Sequence, residues 1–180
     1  MDSYKDMKML IVDDDKDLRE IAREYIEAQI EVEIFEAGDA KEAYWVLQNN
    51  RIDLTILDIK MPVVDGLEVL EKIHKKYPDI INIMLSGHGD KTDVMRALKS
   101  QAYDFLEKPI DKDLFLNRIT NGLDLKYQRD LLSEAIKAFV MNSGSIGSYS
   151  KFEKLDFAGK CKMLKVALDI VKKRNLKNLP

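Results

Sequence analysis

Between Lys8 and Pro109 short apolar runs alternate with segments whose apolar residues return every three or four positions. Met9-Leu10-Ile11-Val12 is unbroken and stops at acids, the pattern of a strand buried on both faces. Asp17 to Ala28 then carries Leu18, Ile21, Ala22, Tyr25 and Ile26 at helical spacing. Val32 to Glu36 predicts a second strand, and Asp39 is placed to cap a helix that runs through Leu47 and breaks at Asn49-Asn50. Ile52 to Leu57 predicts a third strand, followed by Pro62 and Gly66. Leu67 to Tyr77 reads as a helix stopped by Pro78. Ile80 to Leu85 is the fourth strand, Thr92 to Lys99 a helix, and Tyr103 to Leu106 the fifth strand. Strands this apolar, each followed by a helix, predict a parallel sheet covered on both faces, an α/β fold.

After Pro109 the period changes. Asp111 to about Val140 predicts one continuous helix, roughly 45 Å long at about 1.5 Å per residue. Residues 142–150 (NSGSIGSYS) form a Gly/Ser-rich linker, and Lys151 to Leu176 is again helical in pattern. The expected organisation is therefore a domain over 1–122, an extension of its last helix over 123–141, the linker over 142–150, and a basic helical segment over 151–180. Leu116, Ile119 and Leu123 are spaced to pack on the sheet. Leu125, Leu132, Ile136 and Phe139 continue at near-heptad spacing with nothing in the sequence to cover them. Phe157, Cys161, Leu164, Leu168 and Val171 alternate steps of four and three. Folding back on the first domain and self-association into a homodimer both account for these stripes, and the spacing does not choose.

Charge adds an asymmetry. The chain is −3 overall, but residues 151–180 hold nine Lys or Arg against three acids, so this tail is +6 and the first 150 residues are −9. A basic tail raises nucleic acid as a partner. No helix-turn-helix pair, zinc spacing or aromatic platform accompanies it, and a solvated helix face is the simpler account. The single Cys161 excludes an intramolecular disulfide framework and a multi-cysteine metal site. No apolar run approaches the roughly 20 residues that span a bilayer. Residues 1–8 lack a signal-peptide core. The expectation is a cytoplasmic protein with no membrane partner.

In an open parallel sheet, ligands sit at the carboxyl ends of the strands. There the sequence places Asp13-Asp14 after the first strand, Asp58 at the end of the third, Ser86 after the fourth and Lys108 after the fifth. Clustered carboxylates raise one another's pKa unless a cation lies among them, and oxygen-only ligands of this kind suit Mg²⁺. A carboxylate can also attack a phosphoryl group, and a metal, an ammonium and a hydroxyl would stabilise the oxygens being transferred.

The runs LIVDDDKD, LTILDIKMPVVDG, IMLSGHGD and FLEKP, in that order and spacing, resemble the receiver domain of two-component response regulators, and among them those of nitrogen-regulation-type transcription activators. The resemblance covers about residues 8–122. It implies a flavodoxin-like, doubly wound five-stranded parallel sheet with a C-terminal helical extension. It also implies Asp58 as phospho-acceptor from a histidine kinase or phosphotransfer protein, with no enzymatic activity beyond its own phosphorylation and dephosphorylation. Asp14 would ligate Mg²⁺ directly and Asp13 through water, with Asp58 and the Lys60 carbonyl completing the protein ligands. Ser86 and Lys108 would each contact a phosphoryl oxygen, and Phe105 would be the aromatic switch that turns inward when Ser86 moves. The resemblance further implies a cis bond before Pro109 and open space beside Gly87. Gln101 departs from the family, which usually has Gly there, where a left-handed turn costs other residues about 1 kcal/mol or more.

Asp13, Asp15 and Asp17 with Glu24 imitate a calcium loop, but Leu18 holds the position that requires Gly. Asp13-x-Asp15 after a strand is similar to haloacid-dehalogenase phosphatases, with Asp13 as nucleophile, a reading that leaves Asp58 without a purpose. His74 and His88 have no metal partner by spacing; His88 and Lys60 are near enough to the expected phosphate to tune its lifetime. Trp45 and Tyr44 read as packing residues.

Overall fold

The computed structural model describes residues 4–87, 95, 96, 100–142 and 155–166. The chain divides into two compact units, Met1–Lys126 and Tyr127–Pro180.

In the first unit the elements are β1 (Lys8–Val12), α1 (Lys16–Glu27), β2 (Glu33–Ala37), α2 (Ala40–Asn49), β3 (Leu54–Asp58), α3 (Gly66–Lys76), β4 (Ile81–Ser86) and β5 (Asp104–Glu107). A long helix, α4 (Lys112–Asn142), begins here and runs on past the unit. The expected helix over Thr92–Lys99 lies largely outside the described residues; Met95 and Arg96 within it are helical. The sheet is parallel throughout, in the order β2-β1-β3-β4-β5.

Alternation along each strand separates two cores. Met9, Ile11, Leu54, Ile56, Ile81, Ile83 and Leu85 face α1 and α4. Leu10, Val12, Leu57 and Met84 face α2 and α3. Both faces are covered, which is why the strands read as unbroken apolar runs. A polar pair interrupts the second face: Thr55 Oγ1 and Asn82 Oδ1, cross-strand neighbours, are hydrogen-bonded at 2.7 Å. α4 sits close on the first face at Gly122, where a Cβ would come within 2.7 Å of Leu54 Cδ1. At the amino edge of the sheet the buried Lys126 Nζ lies 3.6 Å from Asp53 Oδ1, and Tyr4 donates its hydroxyl hydrogen to Asp124.

The helices start where short acids can cap them. Asp15, Asp39 and Asp65 accept hydrogen bonds from first-turn amides of α1, α2 and α3. Gln101 does adopt the left-handed backbone, with φ of 63°, and the Lys108–Pro109 bond is cis.

Two packing expectations are corrected. Trp45 is 65% exposed on α2, because the sheet-facing positions of that helix are Ala40, Ala43, Val46 and Leu47. Tyr44 does pack, half-buried, against the second core. The stripe along α4 is open only in part. Leu125 packs against the first core and Ile136 is 1% exposed, whereas Leu132 is exposed.

In the second unit, Tyr127, Leu131 and Leu132 are the exposed large apolar residues of α4 among the described residues. Residues 157–166 form a helix with Phe157, Cys161 and Leu164 half-buried, and the Arg129 guanidinium lies 5.9 Å from the Phe157 ring centre. The side chain of Phe139, the linker expected over 142–150, Leu168, Val171 and most of the basic segment lie outside the described residues.

Candidate functional site

The chain leaves β1 toward α1 on one face and leaves β3 toward α3 on the other, so the loops after these adjacent strands part and open a crevice above their carboxyl ends. Asp13 and Asp14 lie on one side of it and Asp58 on the other. Asp13 and Asp58 are buried and Asp14 is exposed, and one carboxylate oxygen from each lies within 4.8 Å of the others. Lys108 reaches in from the end of β5, its Nζ 2.7 Å from Asp13 Oδ2 and 3.0 Å from Asp58 Oδ1.

The supports of this cluster are mostly backbone. Asp13 is held by its own N–H, which donates to Ala37 O, and by the Asp15 N–H, which donates to Asp13 Oδ1 at 3.0 Å. Arg19 Nη1 donates to the Asp13 carbonyl at 2.6 Å while its Nε donates to Glu36 on β2. The Ile59 N–H donates to Leu85 O and the Lys108 N–H to Ser86 O, tying the ends of β3 and β5 to β4. Gly66 lets α3 begin against this end of β3, because a Cβ there would stand 1.8 Å from the Asp58 carbonyl oxygen.

Burial raises the Asp58 carboxyl above its usual range and the negative charge of Asp13 adds to the effect, while Lys108 and the Lys60 N–H oppose it. Burial alone would pull Lys108 down, but its contacts with Asp13 and Asp58 outweigh that and hold it above its ordinary value. Asp58 Oδ1 is buried without a directed hydrogen bond, its contact with Lys108 Nζ at 3.0 Å being an ion pair. A buried carboxylate oxygen with spare lone pairs, flanked by two more carboxylates, is a donor set for a hard divalent cation. The residues present therefore fit Mg²⁺.

Of the residues singled out from sequence, Asp13, Asp14, Asp58 and Lys108 come together. Ser86 is fully buried at the end of β4, one position beyond the register partner of Asp58. Phe105 is half-buried beside Met84, which makes it the diagonal neighbour of Ser86 on the same sheet face. The Lys60 side chain is exposed, and no atom of the described residues lies within 4 Å of a Cβ placed at Gly87. Asp15 caps α1 and Asp17 is exposed in its first turn, so neither belongs to the carboxylate group. His88 lies outside the described residues, and His74 is in the last turn of α3. Sequence reasoning missed Arg19 and Glu36; their only signal was a basic residue on α1 and an acid next to the last residue of β2.

Residues 9–120 match the family described as response regulator receiver domain. The chain is 36% identical over 137 residues to a putative NtrX-like response regulator of Rickettsia bellii, covering 71% of this chain and 28% of that protein. It is 32% identical over 119 residues to the C4-dicarboxylate transport transcriptional regulatory protein DctD of Pseudomonas aeruginosa, covering 66% and 26%. The chain thus spans about a quarter of the length of these curated relatives. A crystal structure of a CheY-like response regulator receiver domain protein from Methanospirillum hungatei superposes with a TM-score of 0.64 at 30% identity, covering 68% of this chain and 97% of that one.

Proposed function

The chain belongs to the response regulator receiver domain family, and on that premise we propose that it is a phosphorylation switch in which Asp58 takes a phosphoryl group from a histidine kinase or phosphotransfer protein. The observation that carries this reading is the buried Asp58 oxygen without a directed hydrogen bond, set among Asp13, Asp14 and Lys108. A carboxylate oxygen of Asp58 attacks phosphorus, the P–N bond of the donor phosphohistidine breaks, and the imidazole leaves with the electron pair. The product on this chain is an acyl phosphate.

Asp13, Asp14 and Asp58 would hold Mg²⁺, with the Lys60 carbonyl as a further ligand, and the bound ion supplies charge neutralisation for the transferred oxygens. Lys108, already paired with Asp58, follows one phosphoryl oxygen, and the Ser86 hydroxyl donates to another. Movement of Ser86 frees space for its diagonal neighbour Phe105, which biases β4, β5 and the segment between them toward a second conformation. Incubation with acetyl phosphate and Mg²⁺ should add one phosphoryl group to the wild type and none to Asp58→Asn; undiminished labelling of that variant refutes the assignment.

Output is assigned to the region beyond residue 122, through contacts with partner proteins or a second copy. Ile136 is buried and Leu125 packs on the core, so a self-association surface on α4 rests on Tyr127, Leu131 and Leu132. Leu132→Asp should leave a monomer that still labels at Asp58, by light scattering with and without beryllofluoride and Mg²⁺. A wild type that is monomeric at high concentration in both states removes the dimer. The charge of the tail supports a second reading, output by nucleic-acid binding, which predicts an affinity falling steeply with salt. No helix among the described residues is long and apolar enough to cross a membrane, and the proposed compartment is the cytoplasm.

A further inference from the structure

On the sheet face opposite α1 and α4, the C-terminal halves of α2 and α3 leave an apolar groove of about 520 Å³. Tyr44, Ile73 and Tyr77 line it, and Lys72, Lys75 and Lys76 stand around it. It lies away from Asp58. α3 ends just before β4 begins at Ile81, which pairs with Leu54 at the start of β3, so the groove is at the amino edge of the sheet.

Three features distinguish it from an ordinary helix seam. Its size is that of sites that take small molecules, about 300–1,000 Å³. Its cations are uncompensated: among the described residues none of the three lysines has a carboxylate partner, and Lys72 and Lys76 lie instead 5.3 and 5.2 Å from the ring centres of Tyr44 and Tyr77. Lysines in the last turn of α3 suit the helix dipole, but that alone does not bring them over aromatic rings around an apolar hollow. The Tyr44 hydroxyl is also shut from solvent without a hydrogen-bond partner among the described residues, so the wall of the groove carries an unmet polar group. All this stands in a body that is −9 over its first 150 residues, where a local cluster of cations is against the trend.

We infer that this groove binds a small amphiphilic anion, its apolar, preferably aromatic, body between Tyr44 and Tyr77 and its carboxylate among Lys72, Lys75 and Lys76. The apolar lining supplies affinity without selectivity, and the lysines supply the preference for negative charge. A site at the far edge of the sheet would let a metabolite of this class bind independently of the phosphoryl state.

The test is a titration of the full-length, isotope-labelled chain followed by its backbone amide resonances. The probes are 2-naphthoate, the neutral 2-naphthalenemethanol and the cationic 2-naphthylmethylammonium, whose apolar bodies are alike. The expected result is saturable shifts at residues 44–48 and 72–77 with naphthoate, at least about tenfold tighter than either analogue. The double variant Lys75→Glu/Lys76→Glu should lose that preference while its dispersed spectrum shows an intact fold. Non-saturating shifts, shifts centred elsewhere, or a preference under about threefold would overturn the inference. Labelling of Asp58 by acetyl phosphate, measured on the same double variant, should be unchanged, which keeps this result separate from the phosphorylation reading.

Discussion

Gly66→Ala tests whether the end of β3 and the start of α3 are as closely joined as their geometry indicates. The added Cβ would lie 1.8 Å from the Asp58 carbonyl oxygen and 2.8 Å from its carbon. Real Cβ contacts essentially never fall below 3.0 Å, so something must shift by at least 1.2 Å. Neither side can give cheaply. Both atoms belong to the backbone of a strand buried along its length, and the Gly66 N–H is committed to Ile59 O at 2.8 Å. Overpacking of this kind costs about 1–3 kcal/mol, and a clash with backbone belongs at the top of that range. With a urea dependence of about 1–3 kcal/mol per molar, the midpoint should fall by roughly 1–3 M. The single Trp45, on α2, reports unfolding of the first unit by fluorescence. Gly38→Ala is the control: its Cβ would meet only Glu42 and Arg19 side-chain atoms, at 3.5 Å or more, and the change should stay within about 0.5 kcal/mol. Because Asp58 itself would be displaced, Gly66→Ala should also slow acetyl phosphate labelling. A variant as stable as the wild type and labelled at the same rate would show that the junction yields freely, and the close approach would lose its meaning.

Asp14 and Asp15 should separate by property. Asp14→Ala should weaken Mg²⁺ binding at least about tenfold by calorimetry with little change in stability. Asp15→Ala should lose about 1 kcal/mol of stability, since its side chain accepts from Asp17 and Leu18 N–H, and should keep the metal; equal losses of affinity would return the calcium-loop reading. Glu36 gives the pH dependence. Burial alone would raise its carboxyl, but the Arg23 and Arg19 guanidinium groups outweigh burial and hold it below the ordinary range. Its folded-state pKa is depressed, so the stability it contributes is present above the unfolded value of about 4.3 and lost as pH falls through the folded one. The wild type should therefore exceed Glu36→Gln most near neutral pH, and a gap that persists undiminished well below pH 4 refutes the ion-pair account.

Much of the fold was legible because a parallel sheet writes its strands as apolar runs and each helix here begins at a short capping acid. What failed to read out was coverage. The α4 stripe has the spacing of an exposed seam, yet spacing does not say that the first core extends under Leu125 or that Ile136 is enclosed. Trp45 illustrates the same limit at one residue. It is two positions from both Ala43 and Leu47, nearly opposite them around the helix, and phasing α2 on its alanines would have placed it outward.

The site was legible for a different reason, which also explains its gaps. Residue type and strand-end position are properties of sequence, and they located the carboxylates and Lys108. Arg19 and Glu36 support the Asp13 loop through a contact between α1 and β2 that no local pattern encodes. A charge count then separates the two edges of the sheet. At the amino edge the buried Asp53 is matched by the buried Lys126 and also accepts from the Lys8 N–H, so that buried charge is satisfied within the chain. At the carboxyl edge three carboxylates face one ammonium, a formal −2 confined within 4.8 Å among the acids. Two of these carboxylates, Asp13 and Asp58, are buried, and buried charge of one sign is costly unless a ligand neutralises it. A bound divalent cation would restore the balance, and in the proposed phosphorylation Lys108 would already be in place for the incoming group. An arrangement that served only stability would pair its buried carboxylates at both edges, and this one pairs Asp53 with Lys126 at the edge away from Asp58.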